Sequence, residues 1–220
     1  MGASKKLNGF LSPYLKEKGY NKKGSCYYKI ENHIAFCISL DFPSCVRAWC
    51  HILPLYMPTE FIHLDYGNTI EPKYVSRQSF LSKYDDVTDE QASRWVNELT
   101  QELEASVFPF FNLVSSPEAL AKYCVLPKER KSRYLPYEGG EKLYRLQGYT
   151  ALYLGKTFRA KRYIKAYKKA ALENQHISPK LVQERSAEAD EMLRLALLPK
   201  KERNEYFSTL CDTNRKAMFG

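Results

Sequence analysis

The sequence predicts an α+β protein: an N-terminal helix and a mostly antiparallel β-sheet, followed by a basic, all-helical C-terminal region. Three observations predict it. Strand-like alternation and aromatic or β-branched runs stop before residue 80, and helical periodicity dominates after residue 88. Charge divides at nearly the same place: residues 1–119 carry a net −2 and residues 120–220 a net +11, so the whole excess of +9 sits in the second part. The stretch from Tyr14 to Phe42 reads as a helix end, a basic turn and two strands, with pattern and turn chemistry in agreement. We therefore divide the chain into a sheet domain, 1–115, and a helical region, 116–220.

Leu7, Phe10, Leu11, Tyr14 and Leu15 recur three and four apart, the spacing of a buried helix face. Pro13 cannot donate the helical hydrogen bond, so a kink or restart is expected after Ser12. Gly19 is the expected stop. Strands follow over Cys26–Ile30, His33–Phe42, Val46–Leu55 and Glu60–Tyr66, with tight turns at Glu31-Asn32 and Gly67-Asn68. The second and third strands are almost continuously apolar, so either they are central strands covered on both faces or parts of them are interior in some other way. Thr88-Asp89-Glu90-Gln91 is a capping box, and the helix behind it buries Ala92, Trp95, Val96, Leu99 and Leu103 before fading near Pro109. Ser116-Pro117 and Ser178-Pro179 each place a cap before proline, which starts helices at 117 and 179. Further helices are expected over Glu141–Leu154, Phe158–Glu173 and Lys200–Thr213.

The 220 residues are 44% apolar and 27% charged, enough to bury a core without disulfides or metals. No run approaches the ~20 apolar residues of a membrane span, and no signal-peptide run opens the chain, so a cytoplasmic location without membrane contact is expected. Gly2 invites an acylation reading, but Lys6 stands where that signal needs Ser or Thr. The six cysteines, Cys26, Cys37, Cys45, Cys50, Cys124 and Cys211, are irregularly spaced and read as reduced, buried thiols.

Leu15-Lys16-Glu17-Lys18-Gly19-Tyr20, the Lys22-Lys23 turn and the aromatic strand at Tyr27-Tyr28-Lys29 resemble the opening of the bacterial family catalogued as domain of unknown function 4304. The resemblance covers residues 15–29, implies a small α+β domain and supplies no catalytic residues. Gly148-Tyr149, Leu154-Gly155, Ala160 and Ile164 are similar to a single tetratricopeptide-like hairpin, with no second copy, so a lone helical hairpin over 148–167 is expected.

Candidate chemistry is sparse. Cys50 and His51 are adjacent on a strand and point to opposite faces, which gives a buried Cys beside a half-exposed His. His63 and Asp65 share a strand face beside Glu60 and Tyr66, and form the best acid–base cluster for an enzyme. The Cys45-to-Cys50 spacing is not that of a zinc knuckle, and no nucleotide, zinc-protease, esterase or calcium motif occurs, so no metal or cofactor is expected. Gly139-Gly140 is a turn before a helix.

The strongest signal outside the core is KTFRAKRYIKAYKK, with seven bases and no acid: Lys156, Arg159, Lys161, Arg162, Lys165, Lys168 and Lys169. Within the helix 156–173, Ala160, Tyr163, Ile164, Tyr167 and Ala171 form the inward stripe, and the bases flank it. A second basic cluster, Lys128–Tyr134, precedes it. The expected function is a non-enzymatic interaction or binding module that contacts another protein or a second copy of itself. A nucleic-acid-binding protein using the basic helix is the first alternative, and an enzyme using His63 and Asp65 the second.

Overall fold

The computed structural model describes residues 2–41, 47–59, 66–70, 86–127 and 140–220. Helix α1 (Ala3–Glu17) leads into strands β1 (Asn21–Lys23), β2 (Cys26–Glu31), β3 (Ile34–Asp41), β4 (Arg47–Pro54) and β5 (Gly67–Ile70). Next come α2 (Asp89–Glu102), a π-helical turn (Leu103–Val107), α3 (Phe108–Leu113) and α4 (Pro117–Cys124). The remaining helices are α5 (Glu141–Tyr153), α6 (Thr157–Glu173), α7 (Pro179–Leu195) and α8 (Lys200–Phe219). The strands pair in sequence order, each antiparallel to the next. The α+β class, the antiparallel sheet and the C-terminal helices are as the sequence predicts.

Local chemistry explains most boundaries. Gly19 adopts φ +82°, and Gly19 N–H and Tyr20 N–H donate to Lys16 O and Leu15 O at 2.9 Å each, closing α1 with a left-handed cap. Asn32 and His33 both take positive φ, 47° and 64°, the two-residue turn that matches strand twist, so β3 starts at Ile34 and not at His33. Thr88 and Gln91 form the reciprocal capping box, with Gln91 N–H donating to Thr88 Oγ1 at 3.1 Å and Thr88 N–H to Gln91 Oε1 at 2.9 Å.

Several expectations need correction. Pro13 does not restart the first helix: α1 runs unbroken past it, with Pro13 on the exposed side and Leu7, Leu11 and Leu15 buried. Asn21-Lys22-Lys23 is not a loop but edge strand β1, paired with Tyr28, Tyr27 and Cys26. Gly67-Asn68 is not a turn: Gly67 opens β5 opposite His51, where a Cβ would stand 2.3 Å from His51 Cβ and 2.4 Å from Cys50 O. Helix does not fade at Pro109. Phe108 N–H donates to Leu103 O in the π-helical turn, Pro109 falls in the first turn of α3, and Phe110 and Phe111 are buried. The last helix runs to Phe219. The expected strand Glu60–Tyr66 lies outside the described residues except for Tyr66, as does Phe42 of the second strand and Val46 of the third.

The sheet is covered on both faces. On one, Tyr27 donates to Asn8 Oδ1 at 2.7 Å and lies 2.6 Å from Ser12 Oγ of α1, and Phe36 meets Phe111 of α3 at 5.0 Å between ring centroids. On the other, Tyr28 stacks on Phe219 of α8 at 4.3 Å, and Asn214 Nδ2 donates to Leu55 O and Met57 O at 2.8 Å each. Tyr28, Cys37, His51 and Gly67 form one cross-strand row on this second face. One continuous apolar core runs from Ala3 to Met218. Among the described residues, no helix is long and apolar enough to cross a membrane.

Candidate functional site

Helix α6 carries the strongest sequence signal, and three devices fix its position. The α5–α6 turn ends in a Schellman motif: Gly155 has φ +70°, Gly155 N–H donates to Leu152 O at 3.0 Å, and Lys156 N–H to Ala151 O at 2.8 Å. Gly148 of α5 removes a side chain where helices meet; a Cβ there would stand 2.7 Å from Met192 Cε and 3.3 Å from Ile164 Cγ1. The α5–α6 pair is the helical hairpin expected over 148–167.

The third device is a half-buried ionic cluster joining α5, α6 and α7. Arg145 grips Glu188 with Nε at 2.8 and 3.0 Å and Nη2 at 2.6 Å, and Nη2 also donates to Pro58 O at 3.1 Å. Tyr149 and Tyr167 donate to the same carboxylate at 3.0 and 2.6 Å. Burial alone would raise the Glu188 pKa, but the Arg145 hydrogen bonds and charge, with the tyrosine hydroxyls, hold it below the ordinary carboxylate value. Glu188 thus stays charged, and Tyr167 sets the rotation of α6. A second pair, Arg185 with Glu141, ties α7 to the start of α5.

With that rotation set, Ala160, Ile164, Tyr167 and Ala171 are buried and Tyr163 is half-buried. The seven bases then divide into two groups. Lys168 is neutralised by Asp190 at 2.6 Å and Lys169 lies 3.7 Å from Glu173. Lys156, Arg159, Lys161, Arg162 and Lys165 make no ion pair with any described residue. No acid lies in the first turn of α6, so these bases crowd the positive end of the helix dipole. That arrangement costs local stability and makes the surface attractive to anions. Phe158 stands among these bases with 87% of its surface exposed, and Leu172 is 59% exposed further along. Phe158 is the residue sequence reasoning missed. Its signal was available: it is the aromatic residue that falls off the inward stripe.

The other candidates fare differently. His63, Asp65, Glu60, Cys45, Gly139 and the basic cluster Lys128–Tyr134 lie outside the described residues. Tyr66, beside the expected acid–base pair, donates to Lys142 O at 3.3 Å. Cys50 and His51 do point to opposite faces, but His51 is fully buried and not half-exposed. Neither ring nitrogen has a partner among the described residues, and burial lowers its pKa to about 4, so it is neutral. Cys26, Cys37, Cys50, Cys124 and Cys211 are buried and form no disulfide. No cluster of three or more His, Cys, Asp or Glu is arranged to hold a metal among the described residues.

Comparison with protein-family models, with curated proteins and with solved structures finds no match to this chain.

Proposed function

We propose that this chain is a non-enzymatic binding protein that docks an acidic protein segment, from a partner or a second copy, on the outer face of α6. The observation that carries the reading is the 87% exposure of Phe158 among five bases without an acid partner among the described residues. An exposed aromatic ring supplies the apolar anchor that contributes most to an interface. Unpaired bases around it steer an acidic partner and set its register. The same proposal takes the chain as a bacterial cytoplasmic protein, on the resemblance of residues 15–29 and the unbridged, buried thiols.

A photo-reactive residue at position 158 tests this in cells. We expect cross-links to an acidic protein or to the chain itself, lost when Arg159, Arg162 and Lys165 are changed to Glu. The fold should survive, since those positions are exposed. Sub-micromolar DNA or RNA binding by the wild type that weakens steeply with salt, and is lost in the same variant, would replace the protein partner with a nucleic acid.

A further inference from the structure

A second site lies away from the outer face of α6. The β2–β3 turn, the start of α4, the α5–α6 turn and one face of α8 line an open cleft of ≈ 420 Å³. Its apolar lining includes Phe207, which is buried, and Tyr153; the two rings meet edge-on with centroids 5.7 Å apart. Its polar lining is unspent. Glu118 and Lys200 make no hydrogen bond or ion pair with any described residue, and His33 Nδ1 is buried without a partner.

A groove beside α1 and α3 is the opposite case. There the lining charges are consumed, Lys18 with Glu104 at 2.5 Å and Lys29 with Glu31 at 2.6 Å. The α8 cleft therefore keeps an acid and a base, on separate helices, free beside an aromatic wall.

Arg203 adds direction. It is only 5% exposed, donates from Nη1 to Leu198 O at 3.1 Å, and leaves Nε without a partner among the described residues. No carboxylate pairs with it among the described residues. Its Nη2 would lie 3.6 Å from a Cβ on Gly155, which lines the cleft. A buried, uncompensated guanidinium favours a negative group nearby. Burial pushes the Cys211 thiol at the same cleft up to about 11, so it contributes apolar contact and no charge.

We propose that this cleft binds a small zwitterion with a flat apolar body, the chemistry of a free aromatic amino acid. Lys200, with Arg203 behind it, receives the carboxylate; Glu118 receives the ammonium; the partly exposed ring of Tyr153, backed by Phe207, receives the ring. A peptide terminus offers only one of the two charges, so the free amino acid is the better match.

Calorimetric titration of the full chain with phenylalanine, tyrosine and tryptophan tests the site. At least one should bind saturably, and its N-acetyl and amide derivatives should each bind at least about tenfold more weakly. Glu118→Gln should erase discrimination against the N-acetyl form, and Lys200→Met discrimination against the amide. Both side chains are exposed, so circular dichroism should be unchanged in both variants. Three results would overturn the proposal: no saturable binding of the three amino acids at about 10 mM, equal binding of the blocked derivatives, or binding indifferent to both substitutions. A dipeptide that binds more tightly than its free amino acid would reassign the site to a chain terminus and overturn the zwitterion.

Discussion

His51 and Glu188 are both titratable, both largely removed from water, and opposite in how the fold treats them. His51 sits in the sheet with neither ring nitrogen partnered, and burial keeps it neutral. Glu188 sits among the helices with both carboxylate oxygens satisfied by Arg145, Tyr149 and Tyr167, and stays charged. The sheet tolerates an unpartnered polar ring because neutral imidazole costs far less to bury than an ion. The helical region retains an ion only by surrounding it. The two regions therefore respond to different perturbations: pH for the first, loss of a partner for the second.

The largest effect should follow from removing a partner. Glu188→Ala leaves Arg145 charged and without its carboxylate, in a site where both side chains are 21% exposed. The expected loss is about 3 kcal/mol, the lower end for breaking a buried pair. Arg145→Met should cost a similar amount, and the double variant less than the sum of the two. Urea denaturation of the four proteins measures the cycle. Additive losses would show that the cluster does not act as a unit.

An effect of comparable size, confined to acid pH, belongs to His51. Its folded pKa is about 4 against an ordinary value of 6.5, so the unfolded chain binds the extra proton in between. The stability associated with neutral His51 is complete above 6.5, declines as pH falls through that window, and is fully lost below about 4. The total is about 3 kcal/mol. Glu188 runs differently: its pKa is depressed, so its stabilisation is complete above its ordinary value of 4.5 and is lost as pH falls from there through its lowered value. Unfolding free energies of wild type and His51→Leu, measured from pH 7 to 4, should diverge with the slope of one proton. Parallel curves would remove His51 from the acid response.

What the sequence made legible was local. The capping box at Thr88 and Gln91 and the Ser-Pro helix starts are complete within four residues, so neighbouring structure need not be known. The bases of α6 were visible as charge and its inward stripe as periodicity. What stayed hidden depends on residues distant in the chain. Gly67-Asn68 reads as a turn until β4 is placed against it, since only the approach of His51 and Cys50 demands the glycine. His51 reads as half-exposed because nothing in its own segment shows that its face of the sheet is covered. The cluster at Glu188 draws on Arg145, Tyr149 and Tyr167, each ordinary in its own segment. The α8 cleft likewise draws its polar groups from the β2–β3 turn, α4 and α8.

The smallest effect separates the two hydroxyls that serve Glu188. Tyr167 donates at 2.6 Å from α6 and Tyr149 at 3.0 Å from α5. A hydrogen bond to a charged acceptor contributes about 1.5 kcal/mol or more, and the shorter one should contribute more. Tyr167→Phe should therefore cost about 1.5 kcal/mol, and Tyr149→Phe less, since Arg145 still satisfies the oxygen that Tyr149 shares. Because Tyr167 alone of the cluster sits on α6, its loss should also loosen that helix. Hydrogen exchange along Thr157–Glu173 should rise in Tyr167→Phe and stay near wild type in Tyr149→Phe. Equal exchange in the two variants would mean that packing of Ala160, Ile164 and Ala171, not the hydroxyl, holds the basic face outward.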